Sequence, residues 1–159
     1  MKPGYKNLFN LSPLIILIWG VLYICFGEKI AIFNGYGWDG RAYGAVAENI
    51  EMILDHSVNA YYIQRIFPSL LIYYGISVFG LSHSPENIVL GFQVLNLLLI
   101  FSCALLWVSL TRKMNLDSYS GWLGFILLFI NFAFLKLSFY DPVLTDITAF
   151  FLGFITLYF

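Results

Sequence analysis

The sequence predicts an all-α polytopic membrane protein, with about four transmembrane helices plus juxtamembrane amphipathic helices in its first extracytoplasmic loop. Apolar residues make up 60% of the chain and aromatics 19%, while charged residues are only 11%. Mean hydropathy is +0.83. A water-soluble domain of this length buries only roughly 70% of its unfolded surface, too little interior for that much hydrocarbon. The second observation is the arrangement of long apolar runs separated by short polar segments. The third is that the carboxylates gather beside the ends of those runs. Ionisable groups at a bilayer are costly, so a carboxylate held there marks a functional site by default.

The first run extends from Leu11 to Phe33, interrupted by Glu28 and Lys29 and preceded by Lys2 and Lys6. It is longer than a secretory signal core, and no small-residue cleavage pattern follows it. It reads as a first span with its lysine end in the cytoplasm, in a plasma or inner membrane. Pro13 falls in its first turn, where a missing N–H is harmless. The later runs are Ile66–Leu81, Ile88–Leu110, Tyr119–Leu135 and Ile147–Phe159. A bilayer core needs about 20 helical residues. Ile88–Leu110 satisfies that easily, Tyr119–Leu135 narrowly. Ile66–Leu81 is short and carries Pro68. The last run stops at Phe159 with no polar flank, which leads us to expect the front part of a longer protein, with residues 1–159 as a single module.

If Ile66–Leu81 crossed the bilayer, Arg112 and Lys113 would fall outside, against the cytoplasmic preference of basic residues. A half-embedded Ile66–Leu81 in the outer leaflet removes the conflict. It also makes residues 34–87 one outer loop and brings the turn at Tyr140–Asp146 back to that side. Within the loop, Asn34-Gly35-Tyr36-Gly37 is a turn-forming cluster. From Gly40 to Asp55 the apolar positions recur at helical spacing, which predicts an amphipathic helix packed on the membrane surface.

Two acidic motifs stand out: Trp38-Asp39-Gly40 with Tyr43, and Tyr140-Asp141-Pro142 with Thr145-Asp146. Asp39 is expected at headgroup height, a place that suits a general base taking a hydroxyl proton. The plainer reading is an Asp-Gly turn that caps the amphipathic helix. Arg65, ahead of Ile66-Phe67-Pro68, can hold a phosphate bidentately, or can simply snorkel at the interface. Arg41 can pair with Asp39. Thr145 or Asp146 can cap the last helix, and Lys136 can pair with Asp141 or hold a phosphate. Gln93, Asn96 and Asn131 read as helix-to-helix hydrogen bonders. His56 and His83 read as loop histidines, and Cys25 and Cys103 as small buried hydrophobes. With no basic block, nucleic acid is not an expected partner. No metal-ligand spacing is present, so a divalent ion is possible but not indicated, and no organic cofactor is expected.

The ordered set resembles the membrane glycosyltransferases of the GT-C fold. Trp38-Asp39-Gly40-Arg41-Ala42-Tyr43 resembles that family's catalytic first outer loop. Arg65-Ile66-Phe67-Pro68-Ser69-Leu70-Leu71 is similar to the start of its next helix. Tyr140-Asp141-Pro142-Val143-Leu144-Thr145-Asp146 resembles the later acidic motif of mannose and aminoarabinose transferases. The resemblance implies that Asp39 activates an acceptor hydroxyl and Arg65 binds the phosphate of a polyprenyl-phosphate sugar donor. It implies that Asp141 or Asp146 shapes the acceptor or cation environment, with Tyr43, Arg41 and Lys136 nearby. Full members have many more helices than this chain. A non-enzymatic small membrane protein or split-gene remnant, and a transporter fragment, are the alternatives. In the former the acids are turns and caps; in the latter they would bind cations or protons, usually nearer mid-membrane.

Overall fold

The computed structural model describes residues 9–55 and 58–159, and these are mostly helical, without strands. Helix α1 (Ser12–Phe26) has proline in its first turn and stops at Gly27, whose backbone turns extended while its N–H returns to the Tyr23 carbonyl. A 3-10 turn at Ile32–Gly35 follows, in which Phe33, Asn34 and Gly35 take positive φ. Helix α2 (Gly37–Glu48) ends where Asn49 becomes extended, and α3 (Glu51–Leu54) restarts at once because the Asn49 side chain accepts the Glu51 N–H at 2.9 Å. Short α4 (Ala60–Ile63) is capped by Asn59, which accepts from the Tyr61 N–H. Helix α5 (Phe67–Val78) again begins on proline.

The central helix is α6 (Pro85–Lys113), opened by Ser84 as cap and Pro85 in its first turn and closed by Arg112 and Lys113, which suit the negative end of the dipole. Helix α7 (Ser118–Phe129) is capped by Asp117, which accepts the Ser120 N–H at 2.9 Å. Helix α8 (Phe132–Leu135) continues into a π-helical turn at Lys136–Tyr140, and α9 (Asp146–Tyr158) closes the described chain.

Helices α1, α5, α7 and α9 all pack on α6. One end of the bundle is marked by Asn10, Thr111 and Arg112 around a shared cavity, and by Lys113 donating to the Tyr158 carbonyl at 3.2 Å. At the other, the Ile30 N–H donates to the Tyr140 carbonyl and Asn96 reaches the carbonyl of Pro142. Helix α1 therefore runs against α6, and α9 runs with it. The Asp141 turn is separated from Arg112 and Lys113 by about 25 Å of α6 at 1.5 Å per residue. Between the ends lies an aromatic core in which Phe125, Phe129, Phe139 and Phe154 are buried. Phe129 meets Phe134, Phe150 and Phe154 at centroid distances of 6.0–6.1 Å, within the range that favours edge-to-face and tilted pairs.

The expected boundaries shift for local reasons. The first apolar run stops at Phe26, where Gly27 and the charged Glu28-Lys29 pair end the helix. The single amphipathic helix over Gly40–Asp55 is two helices, divided at Asn49. The Tyr119–Leu135 run breaks at Ile130 and Asn131. The Asn131 amide donates to the Leu127 carbonyl and its oxygen accepts the Phe134 N–H, a side-chain substitute for helical bonds. Cys25 faces outward instead of inward, while Cys103 is buried, and both are free thiols. His83 stacks on Tyr73 at 4.6 Å and bonds Ser77. Lys2, Lys6 and His56 lie outside the described residues.

Among the described residues, α6 alone is long and apolar enough to cross a membrane by itself, with 29 residues; α1, α5, α7 and α9 are shorter apolar helices. Helix α5, at 12 residues, reaches about 18 Å against a hydrocarbon core of about 30 Å. It buries Ile72 and Ile76 toward α6 and turns Phe67, Leu71, Tyr74 and Val78 outward.

Candidate functional site

The two acidic motifs meet at one end of the bundle. The contact is made by glycine backbone. Gly37 has φ +70°, and a Cβ there would lie 2.5 Å from Asp141 Oδ1; a Cβ on Gly40 would lie 2.5 Å from the Val143 carbonyl oxygen. The first turn of α2 thus lies directly on the Asp141-Pro142-Val143 turn, with Asp39 between the two glycines. Only glycine adopts the Gly37 backbone without strain and leaves space for the carboxylate. Asp39 does not cap the helix: Tyr36 occupies that position without a side-chain bond, and Asp39 sits exposed in the first turn, where its charge suits the dipole.

Beneath the turn, α6 supplies two buried amides. Asn96 donates to the carbonyls of Ser138 and Pro142, both at 3.0 Å, and Gln93 donates to the Phe139 carbonyl at 2.9 Å. These clamp both flanks of Asp141 and tie off carbonyls that the π turn leaves without helical partners. The two amides act on the turn that bears the acid, a role beyond the helix-to-helix bonding expected of them.

Asp141 is half-buried, and its Oδ1 is a buried oxygen without a hydrogen-bond donor. Burial pushes its carboxyl up from the ordinary carboxylate range, and the charges of Asp39 and Asp146 push the same way while Lys136 opposes them. A group protonated more readily folded than unfolded binds more protons in the native state, so it lowers stability as pH rises through that window. Asp141→Asn is therefore expected to unfold at higher temperature than the parent above the raised titration, with the gain vanishing below the ordinary carboxylate range. Thermal melts in detergent from pH 4 to pH 8 check this; a pH-independent difference would contradict it.

Arg65, Thr145 and Asp146 come together around a neighbouring cavity of about 420 Å³, which the first turns of α5 and α9 both line. Neither helix has a side-chain cap bond at its N-terminus. Thr148, 9% exposed and lining the same cavity, has a hydroxyl oxygen without a partner. The Tyr43 hydroxyl faces Thr145 and Arg65; burial raises its pKa, and these two contacts oppose the shift. Two uncapped helix starts, a guanidinium and the free Thr148 hydroxyl form an environment suited to an anion. Asp146 stands exposed beside them.

The remaining expected residues lie at the margins. Arg41 lies over the Phe33 ring at 4.9 Å, and Trp38 packs on the same ring at 5.0 Å. Arg65 also lies over Tyr61 at 4.9 Å. Lys136 is seated between Phe132 and Tyr140, 6.0 Å from each ring centroid, and acts on Asp141 through space. Gly37, Gln93, Asn96 and Thr148 were not singled out as site residues by sequence. The signals for them were modest: small residues at i and i+3 on α2, and amides at i and i+3 in an otherwise apolar α6.

No family model, curated protein or solved structure matches this chain.

Proposed function

We propose that the chain is a membrane glycosyltransferase module, moving a sugar from a polyprenyl-phosphate donor to an acceptor hydroxyl on the extracytoplasmic side. In this reading α1, α6, the broken α7–α8 unit and α9 cross the bilayer, α5 lies half-embedded in the outer leaflet, and the N-terminus is cytoplasmic. Support comes from Arg112 and Lys113 gathering at the end opposite the acids, as the positive-inside rule requires. It also comes from the brevity and outward apolar face of α5. A reporter fused after Met114 is expected to read cytoplasmic, and an external signal would reverse the topology.

The observation that carries the reaction is the packing of the Asp39 turn on the Asp141 turn through Gly37 and Gly40, beside the cavity that Arg65 and Asp146 line, with Asp39 and Asp146 both close enough to act on the Asp141 charge. The acceptor hydroxyl oxygen attacks the anomeric carbon of the donor sugar, and the bond from that carbon to the phosphate oxygen breaks. The hydroxyl proton passes to the Asp39 carboxylate. The departing polyprenyl phosphate keeps the bonding pair, and its charge is met by Arg65, Thr148 and the two helix starts. Asp141 and Asp146 orient the acceptor, and Tyr43 holds Arg65 toward the cavity. A placed base and a fixed cation supply the catalysis.

The test is transfer from a polyprenyl-phosphate sugar in membranes containing the protein in its natural full-length form. Asp39→Asn is expected to lower transfer by about 10²–10⁴-fold at unchanged expression, the usual contribution of a general base. Arg65→Ala should chiefly weaken donor binding. Undiminished transfer by Asp39→Asn would remove that residue from the base role.

A further inference from the structure

Between α1 and the α8 segment with its π turn lies a second cavity of about 460 Å³, within the size range of small-molecule sites. Its walls are two helical stripes running in the same direction. On α1, Trp19 and Tyr23 stand one turn apart and are followed by Glu28; opposite them, Phe132 and Leu135 are followed by Lys136 and Tyr140. Each stripe grades from apolar to polar toward the same end. Around the cavity the outer surface of the bundle is apolar: Ile18 is 61% exposed, Phe26 84% and Phe132 81%.

The polar groups follow a particular order. Lys136 sits part-way up, its ammonium between the Phe132 and Tyr140 rings at 6.0 Å from each. Glu28 stands at the outer rim, exposed, and the Tyr23 hydroxyl donates to its backbone carbonyl at 3.0 Å, so the turn that presents it is tied to the cavity wall. From the apolar floor outward the cavity thus offers hydrocarbon contact, then a cation, then a carboxylate.

We infer that this cavity binds a phospholipid with a primary-ammonium headgroup, phosphatidylethanolamine, its phosphate on Lys136 and its amine on Glu28. That lipid has the complementary order: acyl chains, then phosphate, then ammonium. A phosphatidylglycerol would leave Glu28 beside its phosphate without a cation. Phosphatidylcholine presents a methylated nitrogen that cannot donate to a carboxylate. The inference rests on the membrane placement proposed above and is independent of the transfer reaction.

The purified full-length protein is reconstituted in phosphatidylcholine vesicles containing a minor fraction of phosphatidylethanolamine or phosphatidylglycerol, re-extracted, and its retained lipid counted by native mass spectrometry. Phosphatidylethanolamine should be retained over both others on the order of tenfold, the scale of one charge-assisted contact. Glu28→Gln should erase the advantage over phosphatidylcholine, and Lys136→Met should lower retention of both phosphatidylethanolamine and phosphatidylglycerol. Glu28 is exposed, so its variant keeps the test valid if Lys136→Met fails to fold. Equal retention of the three lipids, a preference for phosphatidylglycerol, or indifference to Glu28→Gln overturns the inference. The assay reads no glycosyl transfer, so an inactive protein that retains this lipid refutes only the transferase reading.

Discussion

Replacing Gly40 by valine is expected to separate the two acidic motifs and to be among the most damaging single substitutions in this protein. A Cβ at that position falls 2.5 Å from the Val143 carbonyl oxygen and 3.0 Å from its Cβ. Neither is the free end of a flexible side chain. Val143 is fully buried, so α2 would have to lift away from the Asp141 turn. Overpacking of this kind costs typically about 1–3 kcal/mol, and a backbone obstacle places Gly40→Val at the upper end. Loss of thermal stability in detergent checks the packing, and loss of the proposed transfer without loss of expression checks the site. Gly37→Ala adds a second mechanism, since its positive φ strains any side chain and its new methyl meets the Asp141 carboxylate. Pairing Gly37→Ala with Asp141→Ser should relieve the steric part and leave the backbone part, a coupling that a double-mutant cycle measures. Gly75 supplies the control: its Cβ would meet nothing within 4 Å, so Gly75→Ala should gain about 0.5–1 kcal/mol from helix propensity.

Asn96→Leu is the second large effect. Both bonds from Asn96 Nδ2 are buried and end on carbonyls of the turn that carries Asp141. An isosteric leucine fills the volume but leaves the carbonyls of Ser138 and Pro142 unsatisfied, at about 1–3 kcal/mol each. A loss of roughly 2–6 kcal/mol is expected on that basis. Hydrogen exchange should quicken over residues 136–142 before it quickens in α1 or α9, because the clamp holds the π turn specifically. Uniform exchange throughout the bundle would show that Asn96 merely packs. Asn96→Asp should be no milder, since a carboxylate has no proton to offer those carbonyls unless it binds one.

Several features were legible from residue types alone. Helix class follows from long apolar runs, and four helix starts follow from the proline and capping residues that open α1, α5, α6 and α7. The brevity of Ile66–Leu81 was also visible, because length is counted without knowing what a helix touches. Boundaries inside apolar runs were less legible. Asn131 ends a helix by supplying side-chain bonds to the backbone, and a hydropathy pattern weights it only as one polar residue. Cys25 was expected inward, yet the face of an apolar helix that points outward depends on its neighbours.

The site divides in the same way. That Asp39, Arg65, Asp141 and Asp146 belong together was an expectation from their order and from charge-based topology, both long-range inferences from local signs. Gly37 and Gly40 look like turn residues in a linear reading, because glycine's freedom is local. Their role as the surface that receives Asp141 exists only once α2 lies on a turn about a hundred residues later.

Composition and periodicity by themselves determined that this chain is helical, that it carries far more hydrocarbon than a small interior can hide, and where its scarce charges stand along the backbone. Only tertiary packing decided which charges become neighbours. Contact between distant segments depends on shape at van der Waals range, here on two missing Cβ atoms and two buried amides. Hydropathy records how much each residue avoids water, and it says nothing about which partner a helix face meets once it has left water.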